Sequence, residues 1–248
     1  VSMNFAHLNP VFLWILILIA AALAGALWAL LPGVLKAKLG VNEIIVTVMM
    51  NYIIEYILSY LLSGPWTTKD DFFLQSPRFA ESTWFPSFFN SRLHLGFFIA
   101  IFLAVVIFVL LRKTTFGYKI RAFGDNPIAS KYKGIKINQM VIIIMLISGA
   151  IAGIAGASEL SGINHRLRLD ISNNYGFMGI LVALLGKLNP FGTLLASIIF
   201  GGLINGSTNM EIFANVPVAI VYCVQGIMLI CVLALDPVAY YRVKRIKQ

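Results

Sequence analysis

Five polar side chains recur at every fourth residue through an otherwise apolar run: Glu43, Thr47, Asn51, Glu55 and Ser59, all within residues 41–62. That spacing sets them along one slowly drifting face of a helix. Hydrocarbon cannot solvate such a face. A carboxylate deep in a bilayer costs roughly a few kcal/mol, so Glu55 must look toward a helix bundle, a partner subunit or water. Thr47, Asn51 and Glu55 are therefore candidates for the lining of a polar translocation path. Two other chemistries are open to the same residues: interhelical hydrogen bonds, worth on the order of 1 kcal/mol each, and proton carriage by Glu55 in a gradient-driven transporter. Glu43, at the membrane edge, reads as a charge at a helix N-terminus.

A second group lies in the basic segment 112–137, RKTTFGYKIRAFGDNPIASKYKGIKI. Phe116, Tyr118, Ile120, Phe123, Ile128 and Tyr132 are interleaved there with Lys119, Arg121, Lys131 and Lys133. Asp125 can cap a helix and Pro127 suits a first turn, which predicts a short amphipathic helix over 126–134 with Gly117, Gly124 and Gly134 as punctuation. One reading is a lever that touches another protein in water. The other is a membrane-surface loop whose cations sit among lipid headgroups.

Enzyme chemistry finds no purchase. No Gly-x-x-x-x-Gly-Lys-Ser/Thr phosphate loop is present, and no paired acids, Ser/His arrangement or metal-ligand spacing converges on one span. Cys223 and Cys231 share an apolar run and read as packing residues, and His165 has no ligand spacing to His7 or His94, so it reads as surface.

These residues need a membrane around them. The 248 residues are 59% hydrophobic and 12% charged, with mean hydropathy +0.87, which excludes an ordinary soluble domain. Apolar runs predict spans at 11–31, 41–62, 96–111, 140–161, 192–207 and 217–235, with Pro32-Gly33 ending the first and Trp14 and Trp28 near its ends. Residues 175–186 are apolar but short, fitting a broken or re-entrant helix or a seventh crossing. In the 140–161 run, Gly149/Gly153 and Ala152/Gly156 would let another backbone approach, and Glu159 closes its outer end. Of nineteen Lys and Arg residues, fourteen fall in Lys36/Lys38, segment 112–137, Lys187 and the tail. The net charge of +9 thus reads as topology rather than nucleic-acid binding, placing 112–137 and the tail 236–248 in the cytoplasm and loops 64–95 and 162–174 outside.

Three ordered motifs carry a family resemblance. Arg121-Ala122-Phe123-Gly124-Asp125-Asn126-Pro127, with Ala129 and Gly134-Ile135, resembles the cytoplasmic coupling segment of bacterial ABC importer permeases of the ribose, nucleoside and branched-chain amino acid group. Tyr175-Gly176-Phe177-Met178-Gly179-Ile180, Val182-Ala183-Leu184-Leu185-Gly186 and Asn189-Pro190-Phe191-Gly192 resemble its simple-sugar and nucleoside branch. So do Val41-Asn42-Glu43-Ile44-Ile45-Val46-Thr47 and Asn51-Tyr52-Ile53.

The resemblance implies an all-α, polytopic helical membrane protein of the bacterial plasma membrane: one permease domain over residues 1–248, about seven crossings and a cytoplasmic coupling helix. It implies that Phe116, Gly117, Arg121, Gly124, Asn126, Pro127, Ala129 and Gly134 couple to an ATPase. It further implies no cofactor in this chain, with ATP and Mg used by a partner subunit. The partners implied are that ABC ATPase, with two nucleotide-binding cassettes, a second related permease subunit and an extracellular substrate-binding lipoprotein, all around the lipid bilayer and with no nucleic acid. Nucleosides are the first expected cargo and simple sugars the second. Members of the group usually carry further N-terminal spans with a glycine-rich Asn-Ile-Gly segment not found here, so the sequence is expected to match the later part of a full permease.

Overall fold

The computed structural model describes residues 9–67, 74–88, 93–172 and 175–214, with individual positions between 217 and 234. The expected tail 236–248 lies outside the described residues, and the expected span 217–235 is described only at scattered positions. Among the described residues the chain is almost wholly helical. Five helices are long and apolar enough to cross a membrane.

Helix α1 (Pro10–Leu39) starts where Asn9 accepts a hydrogen bond from the Val11 amide, with Pro10 in the first turn where its missing N–H is harmless. The expected stop at Pro32-Gly33 is not one. Pro32 sits inside α1, and the helix ends at Gly40, whose φ of 66° supplies the left-handed cap. A helix interior in a membrane tolerates proline because packed neighbours offset the lost hydrogen bond, and Gly33 is buried against Met145. The 30 residues span about 45 Å against a hydrocarbon layer of about 30 Å. Lys36 and Lys38 lie in the last turn of α1. After two more residues α2 (Glu43–Ser63) begins, capped by Asn42. Glu43 stands at its first position, as expected, and pairs with Lys36 across the turn.

Helix α3 (Leu95–Lys113) is followed by two short helices, α4 (Thr115–Asp125) and α5 (Pro127–Tyr132), and then by α6 (Ile137–Glu159). The described residues form two compact units, and the first gathers those from 9 to 103 and from 109 to 172. Its centre is the α1–α6 pair. A Cβ on Gly25 would strike the Gly149 carbonyl, one on Gly149 the Ala29 methyl and one on Gly153 the Ala21 carbonyl. Without a hydrophobic drive between helices in lipid, such close approach supplies dispersion and weak Cα–H contacts instead. The expected packing face is thus half realised: Gly149 and Gly153 meet α1, whereas Gly156 has open space.

At the far end of α6 a π-turn (Leu160–Asn164) leads to His165, in the left-handed region at φ 52°. Loop 74–86 is latched to this turn. Ser76 N–H donates to the Leu167 carbonyl, Phe79 N–H to that of His165 and Phe85 N–H to that of Ser161. Trp84 stacks on His165 with centroids 4.2 Å apart, and Phe85 meets Trp14 of α1 edge-on. A two-residue hairpin, β1 (Ser87–Phe88) with β2 (Leu93–His94), then brings in His94, whose Nδ1 caps α3 by accepting from Gly96 N–H at 3.0 Å. Glu159 accepts from Asn164 Nδ2, so it is tied into the turn.

Burial lowers the pKa of both imidazoles. Arg78 and His94 add to the effect at His165, and Glu159 opposes it at His94. An imidazole held below its ordinary value binds a proton less readily folded than unfolded. Its contribution is therefore complete above about pH 6.5, falls as pH drops below that and is gone once the folded groups protonate. Protonation also removes the lone pair with which His94 caps α3. Amide exchange at Ser76, Phe79 and Phe85, corrected for intrinsic rate, is accordingly expected to quicken between about pH 7.5 and about pH 5.5. Unchanged protection over that range would contradict the linkage.

The second unit comprises residues 104–108 and the described residues from 175 onward. Helices α7 (Tyr175–Leu185) and α8 (Pro190–Ala214) form a hairpin around Val182, Ala196 and Phe200. Lys187 and Leu188 make its turn at positive φ, and Asn189 starts α8 by accepting from the Phe191 amide. At about 16 Å for eleven residues, α7 is short of a perpendicular crossing.

Candidate functional site

Two groups of expected site residues fall on different elements. Thr47, Asn51 and Glu55 lie on α2, where Asn51 and Glu55 are exposed and Thr47 is half-buried. Thr47 is already committed: its hydroxyl donates to the Glu43 carbonyl at 2.8 Å, with Ile44 O at 3.0 Å. Asn51 and Glu55 are the members of this set with side chains turned outward from the chain.

The coupling residues occupy two helices where the sequence predicted one. The glycines at 117 and 124 do not punctuate the segment; both lie inside α4. Thr114 explains why α4 forms. Its Oγ1 accepts from Gly117 N–H at 3.1 Å and donates to the Leu110 carbonyl at 2.6 Å, closing α3 and opening α4 with one side chain. Gly117 is buried, and a Cβ there would collide with the Leu110 and Leu111 carbonyls, so α4 folds back tightly on the end of α3. Gly124 has open space and a helical backbone, so nothing within the chain demands glycine there.

The cap of α5 is likewise one residue later than expected. Asp125 closes α4, and Asn126 caps α5 by accepting from Ala129 N–H at 3.0 Å, with Pro127 in the first turn. The amide side chain reaches this donor because Asn126 is extended, whereas Asp125 is still helical. The helix ends at Tyr132, and Gly134, at φ 77°, turns the chain toward α6, as its type predicted. A notch between the two helices is lined by Tyr118, Arg121, Asp125, Ala129 and Lys133.

The geometry adds two residues that the coupling set omitted. Ser130 is buried, whereas Ile128 and Tyr132, one turn apart on the other side of α5, are 71% and 89% exposed. Their spacing of four was available in the sequence, but which face of the helix pointed away was not. Segment 112–137 as a whole sets seven cations against one anion, Asp125. Among the described residues no group of three or more His, Cys, Asp or Glu side chains comes together to hold a metal ion.

Residues 2–233 match the family described as branched-chain amino acid transport system / permease component. The chain is 40% identical over 226 residues to the guanosine ABC transporter permease protein of Bacillus subtilis (strain 168), covering 88% of this chain and 64% of that relative. Identity is 30% over 239 residues to the glucose ABC transporter permease protein of Haloferax volcanii, 92% of this chain and 63% of that one. It is 30% over 219 residues to the nucleoside ABC transporter permease protein NupB of Lactococcus lactis subsp. cremoris, 84% of this chain and 60% of that one. The chain thus spans a little under two thirds of the length of these relatives, and no solved structure matches it. The resemblance carried by the three motifs is borne out, and nothing in these matches supports proton carriage by Glu55. A family match over nearly the whole sequence, joined to five apolar helices of membrane-crossing length, identifies the chain as a multi-pass protein of the bacterial plasma membrane that belongs to the branched-chain amino acid transport system permease family.

Proposed function

We propose that this chain forms part of the permease subunit of an ATP-binding-cassette importer for nucleosides, with simple sugars as the second choice of cargo. The importer is driven by a separate ATPase that binds ATP and Mg, is paired with a second related permease subunit and is fed from outside by a substrate-binding lipoprotein. The observation that carries this reading is the α4–α5 lever. A tightly folded, cationic pair of helices presents Ile128 and Tyr132 away from the chain, as a helix that seats in a groove on a partner does. In this reading Arg121, Lys131 and Lys133 form a polar rim, and Gly117 and Gly134 hold the lever's angle to α3 and α6. Asn51 and Glu55 line the path. The relatives named for guanosine and nucleosides favour nucleoside cargo, and the one named for glucose keeps sugars second.

Uptake of labelled guanosine by cells expressing the complete importer tests the reading. Uptake is expected to vanish when the partner ATPase carries a disabled nucleotide site and to persist through brief collapse of the proton gradient while ATP is maintained. Uptake that survives loss of ATP hydrolysis but stops with the gradient would overturn it.

A further inference from the structure

The side of α2 that carries Asn51 and Glu55 also carries three tyrosines. Tyr52, Tyr56 and Tyr60 repeat at intervals of four, each one position after Asn51, Glu55 and Ser59. At 3.6 residues per turn and 1.5 Å per residue, these six share about 180° of the circumference over about 14 Å of axis. Ile53, Ile54, Ile57 and Leu58 fill the opposite half. The tyrosines are 55%, 74% and 74% exposed.

Two ordinary occupants suit this half-face badly. Lipid is one. Tyrosine favours the headgroup level, where its hydroxyl meets water; Tyr60, the eighteenth of the 21 residues, lies toward a helix end, but Tyr52 and Tyr56, the tenth and fourteenth, lie in the middle of a helix about as long as a hydrocarbon layer is thick. A closely packed helix is the other. Close helix contact in lipid uses small residues, as Gly25, Gly149 and Gly153 show between α1 and α6, whereas a row of three bulky rings holds a neighbouring backbone away. What remains is a row of three exposed phenol rings beside an amide, a carboxylate and a hydroxyl. Such a surface suits a solute with a flat ring and several hydroxyl groups, the ring stacking on one phenol after another while the polar edge exchanges hydrogen bonds with the hydroxyls.

We infer that Tyr52, Tyr56 and Tyr60 form a stacking ladder along the translocation path and that its cargo carries an aromatic heterocycle on a sugar. The inference rests on the proposed reading of α2 as part of that path.

The test uses the complete importer in cells, with guanosine as the stacking probe and ribose as the probe that keeps the hydroxyls but lacks the ring. Tyr52→Leu and Tyr56→Leu are each expected to lower guanosine uptake about tenfold at limiting concentration, whereas Tyr52→Phe and Tyr56→Phe, which keep the ring, stay within about twofold of the parent. In a background of Cys223→Ser and Cys231→Ser, Tyr56→Cys is expected to react with a charged, membrane-impermeant thiol reagent, and guanosine to slow that reaction. Equal losses in the Leu and Phe variants, no reaction at position 56, or a parent importer that carries ribose but not guanosine would each overturn the ladder. Transport that proves independent of ATP would instead sink the importer reading, while the Leu/Phe contrast and the thiol reaction would still decide the ladder.

Discussion

Replacing Ile128 and Tyr132 together by aspartate is expected to lower guanosine uptake and solute-stimulated ATP hydrolysis at least about a hundredfold, with a normal amount of folded protein in the membrane. Both side chains are largely exposed, so the chain itself loses little when they change. In the proposed importer they would be the two large apolar groups that α5 offers to a groove, each worth about 1.5–3 kcal/mol when buried. The double variant forfeits that burial and forces two carboxylates into an apolar site, which is how a few anchor residues come to dominate an interface. Arg121→Glu, at the rim, is expected to cost far less, because exposed charge pairs contribute about 0–1 kcal/mol. Uptake, ATP hydrolysis and membrane abundance measured together separate the outcomes. Lost uptake with lost protein would mean that α5 serves folding, and unimpaired uptake would mean that it contacts nothing.

Gly153→Leu is expected to have an equally large effect by a different route. The Gly153 Cα faces the Ala21 carbonyl so closely that even a methyl would collide, and the obstacle is backbone rather than a side chain that could rotate away. Overpacking ordinarily costs about 1–3 kcal/mol, and here a whole isobutyl group would have to part α1 from α6, so the cost is expected at or above the top of that range. Since those two helices form the centre of the first unit, detergent-extracted protein should lose most of its cooperative thermal transition. Gly156→Leu, three residues further along α6 and facing open space, should retain it. Equal stability in the two variants would show that α1 and α6 do not meet as described.

Much of this architecture was legible from composition and spacing. Apolar runs located the long helices, the Gly149/Gly153 interval marked a close contact and Gly134 marked a turn that needs positive φ. The failures have physical causes. Pro32-Gly33 read as a stop because proline breaks helices in water, but in a packed membrane helix it is carried through to Gly40. The stretch 115–125 hid a helix because Gly117 and Gly124 suggested turns. Gly117 is glycine for want of space against α3, a tertiary reason that no local pattern reports. The same holds for Ile128 and Tyr132: their interval was visible, but only the burial of Ser130 shows which side of α5 faces away. On α2 the polar interval drew attention to Asn51 and Glu55, while the tyrosines one position along were given no chemistry of their own.

The most direct test of the lever is a cross-link. With Cys223 and Cys231 replaced by serine, Tyr132→Cys is combined with single cysteines along the groove of the partner ATPase, and disulfide formation is followed in membranes with and without ATP. A lever that drives transport predicts a cross-link that forms readily, changes in yield when ATP closes the ATPase and blocks guanosine uptake until reduced. A cysteine at 132 that is labelled from outside intact cells, or that never joins the ATPase in any nucleotide state, would contradict it.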